Sequence, residues 1–228
     1  MLALLGLCTA IYASHMSTPE KTKYASWAYA EEHSVPDELV ERARVLAANV
    51  GTDPISDGTA AALTTLAAAC RARSMVGIGL GAGLAGAALL RGAAADAVFT
   101  GIDADADCVS ATRQLLGSLG VASSRTRLIT GKATEVLPRL TPEGYDLVFI
   151  DAAGESAVDY LSHGLRLLHP GGTLILNDAL DGDRVPKPAV REASTQAMRR
   201  AEALLREDDA VVTAMFSTGT GVLVAVKR

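Results

Sequence analysis

From residue 74 onward the chain repeats one pattern. A short, almost continuous apolar run is followed by a stretch with helical periodicity. SMVGI, AVFTGID, TRLITG, YDLVFID and GTLILND are the apolar runs, and 84–91, 108–119, 134–140 and 156–168 are the periodic stretches between them. Apolar runs of this length, without alternation, belong to strands buried on both faces. Strands alternating with helices predict a parallel sheet with right-handed crossovers and helices on both sides. The end of the chain differs. A helix predicted over 188–206 precedes AVVTAMF and GVLVAVK, and the short turn Ser217-Thr218-Gly219-Thr220 between these runs forces them to pair antiparallel.

The first 72 residues carry no strand pattern. Residues 20–33 form a rough apolar face from Tyr24, Trp27, Ala28 and Ala30. Pro36-Asp37 opens a second helix that stops at Gly51, and Ser56 caps a third over 57–71. The expected organisation is therefore a helical segment over 19–72 and an α/β domain over 73–228. Before them lies an apolar extension over 1–18. The run MLALLGLCTAIYA in that extension lacks a basic start and is too short to span a bilayer. It is read as a dispensable extension, with a weak secretion signal or a start placed too early as alternatives.

Composition narrows the function. Lys and Arg number 21 against 26 Asp and Glu, a net charge of −5, and no basic stripe is present. A nucleic-acid partner is not expected. The pair Arg199-Arg200 with Arg206 reads as a solvated helix face. Three cysteines without a CxxC spacing argue against a disulfide framework or structural zinc, and favour the cytoplasm.

The candidate chemistry starts at the tip of the first run. Gly77, Gly79, Gly81 and Gly83 alternate there, and Gly86 follows. Such a turn lets a ligand reach the main chain, and the N–H groups opening the next helix favour a carboxylate or phosphate. Gly81 to Gly86 also spells GxGxxG, with Asp103 about twenty residues on, which is the pattern of a nicotinamide-dependent oxidoreductase. Register separates the two readings. A strand ending at Ile78 leaves the glycines in a loop, as a methyltransferase needs, whereas a strand reaching Leu80 would hold two glycines and be poor.

Over residues 55–227 the chain resembles the bacterial branch of the cation-dependent, catechol-type (family 3) O-methyltransferases, as a divergent member. VGIGLGAG, TGIDAD, SRTRLITGKATEVLPRL, YDLVFIDA, LRLLHPGGTLILND, GDRV and TGTGVLVAVK carry the resemblance in order. It implies a Rossmann-like class I fold: a seven-stranded, mostly parallel sheet with an antiparallel last strand. It implies that Gly79, Leu80, Gly81 and Gly83 wrap the methionine part of S-adenosylmethionine, with Ile55 and Ala85 beside it. Asp103 would hold the ribose, Lys132 and Ala133 the adenine edge. Asp151 would stand between the cofactor and a divalent cation such as Mg²⁺, as the catalytic residue, with Asn177 and Asp178 completing the metal ligands. A small, hydroxylated acceptor and a homodimer are also implied. Stable membrane insertion is not expected.

Several positions depart from the family pattern. The acid usual two residues before the first loop glycine is Gly77. The lysine after the fourth strand is missing, since the chain reads Asp151-Ala152-Ala153-Gly154. The usual Asp-Asn pair is reversed as Asn177-Asp178, and an aromatic position is Asp181. Because side chains alternate along a strand, reversal is expected to change which oxygens face an ion. These departures leave open a homologue that binds the cofactor without metal-assisted chemistry.

Overall fold

Local chemistry starts and stops the helices where the sequence predicts. The computed structural model describes residues 18–151 and 154–228, so the apolar run at the start and the pair Ala152-Ala153 lie outside the described residues. Among the described residues, three helices precede the sheet: α1 (Thr18–Glu32), α2 (Glu38–Val50) and α3 (Asp57–Ala69). The Thr59 amide donates to Ser56 Oγ at 3.0 Å, which forms the predicted cap, and where Pro36-Asp37 opens α2 the Val40 amide donates to the Asp37 carboxylate at 3.2 Å. Gly51 ends α2 at φ 69°.

Seven strands follow: β1 (Ser74–Ile78), β2 (Val98–Asp103), β3 (Thr126–Thr130), β4 (Tyr145–Ile150), β5 (Leu168–Leu176), β6 (Val211–Phe216) and β7 (Val222–Lys227). They form one sheet in the order β3-β2-β1-β4-β5-β7-β6. Its strands run parallel except β7, which is antiparallel to both neighbours. The connecting helices are α4 (Leu84–Gly92), α5 (Ala106–Ser118), α6 (Ala133–Val136), α7 (Ala157–Leu167) and α8 (Ala193–Glu207). Period-two alternation splits the core into two layers. Met75, Phe99, Leu147 and Phe149 pack against α2–α5, while Val76, Ile102, Val148 and Leu174 pack against α7 and α8. Among the described residues, no helix is long and apolar enough to cross a membrane.

Two boundaries differ from expectation. The fifth strand starts at Leu168, four residues before the apolar run GTLILND, because its first residue still pairs with Tyr145 across a register shift. The last helix starts at Ala193 rather than 188. Arg199 is the reason: its guanidinium donates to the carbonyls of Arg184, Val185, Lys187 and Val190, and so fixes the preceding stretch as turns. Arg199 is thus a half-buried brace, not part of a solvated face, whereas Arg200 is exposed.

Glycines of β1 and α4 answer to one ring. A Cβ placed on Gly77 would lie 2.6 Å from Phe99 Cζ, and one on Gly86 of α4 would lie 2.8 Å from Phe99 Cε1. Phe99 itself is 1% exposed. The Phe99 ring therefore occupies the space that an acid at position 77 would need. Gly77→Ala should lower unfolding free energy by about 1–3 kcal/mol through overpacking. In a Phe99→Leu background the same change should cost less. Urea melts of the four variants check this, and equal losses in both backgrounds would contradict it.

Candidate functional site

The site is built at the carboxyl ends of β1, β2, β4 and β5, where parallel sheets of this kind open a crevice. β1 stops at Ile78, as the methyltransferase register requires. The chain then turns through Gly79, Gly81 and Gly83 at φ 79°, 51° and 91°. All three lie in the left-handed region that side chains resist. Gly83 is also the residue from which α4 starts, and a Cβ there would lie 2.9 Å from Thr112 Cα on α5. The turn leads directly into the amide end of a helix.

Leu80 ties the turn to β2 twice. Its amide donates to Asp103 Oδ2 at 2.7 Å, and its side chain fills the space over Gly101, where a Cβ would lie 2.7 Å from Leu80 Cδ2. The Asp105 amide donates to Asp103 Oδ1 at 2.9 Å. Asp103 is therefore held at the lip of the glycine turn, with lone pairs on both oxygens still available for a diol. Ala85 is buried in the first turn of α4, and Ile55 packs on the same core layer. Lys132 precedes the short helix α6 and Ala133 is buried at its start, both just beyond β3. Apart from Ile55, which precedes α3, each of these positions lies at a strand tip or at the start of the following helix.

The second half of the site lies at the tips of β4 and β5. The Asp151 amide donates to Ile78 O at 2.7 Å and the Asn177 amide to Ile150 O at 2.9 Å. These bonds extend the sheet ladder one step past the strands and set the two side chains together. Asn177 Nδ2 donates to Asp151 Oδ1 at 2.6 Å. Burial pushes the Asp151 carboxyl up to about 6, against the Asn177 hydrogen bond. The negative charges of Asp178 and Asp103 add to the rise.

Asp178 sits differently from what strand alternation suggests. β5 ends at Leu176, one further ladder bond reaches Asn177, and Asp178 then turns away at φ 54°. Its carboxylate accepts from the Gly182 amide at 3.3 Å and from Thr220 on the β6–β7 turn. Burial raises the Asp178 carboxyl. The donor set of two carboxylates and an amide oxygen, with negative charge in excess, suits a hard cation. Among the described residues, no group of three or more His, Cys, Asp or Glu side chains is arranged to hold a metal ion, so an ion here would rest on two carboxylates and the Asn177 oxygen. Thr220 was not singled out by the sequence. Its one signal was a position in the turn beside two glycines.

His169 is engaged elsewhere. His169 Nε2 lies 2.8 Å from Asp146 Oδ1, and Asp146 Oδ2 accepts from the amides of Arg73 and Ser74. This clasp closes the opposite end of the sheet. Cys108 opens onto no reactive role: burial, then the charges of Asp103, Asp105 and Asp107, push its thiol up to about 11.

Comparison with known proteins agrees with this geometry. The sequence profile of the O-methyltransferase family matches residues 27–228. A protein of Mycobacterium ulcerans, provisionally named an O-methyltransferase, is 38% identical over 200 residues, covering 88% of this chain and 89% of the relative. A protein of Corynebacterium glutamicum has a solved structure that superposes with TM-score 0.81 at 29% identity, over 90% of this chain and 96% of its own. The O-methyltransferase TomG of Streptomyces achromogenes, solved with S-adenosylmethionine, shares the fold with TM-score 0.80 at 22% identity, over 93% of this chain and 99% of its own. The nicotinamide reading of GAGLAG is set aside by the family match and by the strand end at Ile78. This chain belongs to the O-methyltransferase family and is a methyl-transferring enzyme.

Proposed function

We propose that the crevice binds S-adenosylmethionine and that the chain transfers its methyl group to a hydroxyl of a small, catechol-like acceptor. The observation that carries this reading is the Leu80–Asp103 bond, which joins a glycine turn and a diol-binding carboxylate into one cradle. Gly79, Leu80, Gly81 and Gly83 offer main chain to the methionine end, and Ile55 and Ala85 offer apolar surface beside it. Asp103 takes the ribose hydroxyls, and Lys132 with Ala133 borders the adenine. S-adenosylmethionine supplies a methyl on a sulfonium; the methyl passes to the acceptor oxygen, and S-adenosylhomocysteine leaves.

Asp151 is the residue we assign to the chemistry. An Oδ of Asp151 accepts the acceptor's hydroxyl proton, and a carboxyl held near 6 is suited to that exchange close to neutral pH. Asn177 fixes the orientation of that carboxylate. Asp151, Asn177 and Asp178 are the residues that would hold a divalent cation such as Mg²⁺, which as a Lewis acid would favour the ionised acceptor oxygen. A cavity of about 1000 Å³ lies between α1, α3 and the β6–β7 turn, lined in part by Trp27, Ala61, Ala62, Leu180 and Phe216. Leu180 and Asp183 on its wall belong to the stretch that follows Asp178, and we assign the apolar body of the acceptor to this cavity.

The remaining assignments follow the same reading. Residues 19–72 form a helical segment serving the 73–228 domain: Glu31 of α1 accepts from Thr218 Oγ1 at 2.6 Å and from the amides of Gly219 and Gly58 at 2.7 and 3.2 Å. Edge strand β6 exposes Val212, Met215 and Phe216, apolar surface consistent with a homodimer. The cysteine usage fits a cytoplasmic enzyme.

Isothermal titration with S-adenosylhomocysteine should give a micromolar Kd that Asp103→Ala weakens about tenfold or more, as expected for a lost charge-assisted pair of hydrogen bonds. No heat at high micromolar ligand would refute the cofactor site. Turnover of a simple catechol should vanish with EDTA and return with Mg²⁺, and undiminished turnover in EDTA would remove the cation. Asp151 also makes a pH prediction for the unliganded protein. Its carboxyl binds a proton more tightly folded than unfolded, so stability should decline as pH rises from about 4 to about 6 and level off above that. Asp151→Asn should remove that component of the decline in thermal melts, and an unchanged slope would place the titration elsewhere.

A further inference from the structure

The stretch after the β5 tip contains a buried carboxylate that the assignments above do not use. Asp181 is 2% exposed. It stands where the family resemblance puts an aromatic residue, and it has gathered a full set of donors. Arg184 donates through Nη2 to Oδ1 at 2.6 Å and through Nε to Oδ2 at 3.0 Å. Thr195 Oγ1 makes a very short bond to Oδ2, and Ser194 Oγ donates to the same oxygen at 3.2 Å. The two hydroxyls belong to the first turn of α8. Arg184 continues to Glu192 at 3.0 Å. One carboxylate therefore joins the turn after β5 to the start of the last helix, and its charge is matched by a guanidinium fork.

The turn it joins is strained. Asp178, Asp181 and Asp183 adopt φ of 54°, 49° and 62°, and Gly182 lies at 56° between them. Three non-glycine residues in the left-handed region within six positions persist only where surrounding contacts fix them. Several such contacts are present. The Asp181 amide donates to Asp178 O, and the Ala179 and Leu180 amides donate to the carbonyls of Gly221 and Thr220. The Gly182 amide donates to the Asp178 carboxylate. Outside this layer Arg199 holds four carbonyls from 184 to 190. Asp181 is the side chain at the centre of that frame, three residues from Asp178 and four from Asn177.

We infer that Asp181 is a positioning residue: its buried ion pair and hydroxyl bonds hold the 177–183 turn in place, and so set Asn177 against Asp151 and Asp178 against Thr220 before any acceptor arrives. An aromatic residue at this point would offer packing without a charged acceptor. A carboxylate adds directed bonds, and a displacement of about 1 Å at a reacting group can cost about a hundredfold in rate. The inference deepens the methyl-transfer reading and rests on it for the effect on turnover; the effect on the turn itself does not depend on it.

The test uses the full chain carrying Asp181→Ala or Asp181→Asn, with Asp146→Asn as a control at the far end of the sheet. Three measurements are made: hydrogen exchange by peptide, S-adenosylhomocysteine affinity, and turnover of 3,4-dihydroxybenzoate with Mg²⁺. Asp181→Ala should speed exchange across 177–183 about tenfold or more and leave S-adenosylhomocysteine affinity within about threefold. It should cut kcat/KM for the catechol about tenfold or more, with KM for S-adenosylmethionine nearly unchanged. Asp181→Asn, which keeps an acceptor for Thr195, should recover part of the loss. Asp146→Asn should lower the melting temperature without these changes. If exchange rises only across 193–198, Asp181 merely anchors α8 and the inference is overturned. Unchanged exchange overturns it too. Should the parent protein fail to turn over the catechol, the acceptor assignment falls, while the exchange result still decides whether Asp181 holds the turn.

Discussion

Everything at the cofactor end of the molecule rests on how closely α4 and the glycine turn approach the sheet, and the Phe99 ring sets that distance. Gly77 beneath it and Gly86 beside it have no side chains because the ring is already there. Gly101 gives the same accommodation to Leu80. With α4 seated this low, Leu80 can send its side chain down onto β2 and its amide to Asp103. Tight interiors transmit such constraints because they contain little space to absorb a misfit. The missing acid at position 77 is thus a packing consequence. It does not signal that the turn has lost its purpose.

The other half of the site depends on charge rather than shape. Burial disfavours the ionised form of Asp151, and the charges of Asp178 and Asp103 act on it in the same direction. The hydrogen-bond donors that face this cluster are Asn177, Thr220 and the amides of Leu80, Asp105 and Gly182, none of which carries charge. Asp181, only a few residues away, has its own guanidinium. The contrast separates a carboxylate that is structurally satisfied from carboxylates left with negative charge to share. The satisfied one braces the turn, and the unsatisfied ones face the crevice.

Much of this could be read before any coordinates. The opening of α2 at Pro36-Asp37, the cap at Ser56, the end of β1 at Ile78 and the antiparallel hairpin follow from residue chemistry that acts over a few positions. Local signals also located Asp103 and Asp151, because strand tips in an alternating α/β pattern are where ligands meet the sheet. The start of α8 was misjudged because Arg199 acts backwards over up to fifteen residues, and no periodicity records a side chain that binds distant carbonyls. At Asn177-Asp178 the alternation rule runs out, because β5 ends at Leu176 and Asp178 turns at φ 54°.

The amino-acid sequence by itself determined the fold class, the order of elements, the family and the positions of the glycine turn and the strand-tip acids, since each depends on periodicity or on spacing along the chain. Tertiary structure alone decided that Phe99 fills the place of an acid, that Asp178 turns towards Thr220, and that Asp181 is buried with Arg184 and Thr195. Those outcomes depend on groups brought together from separate elements. Their energies come from contact and desolvation, which exist only once the chain has packed.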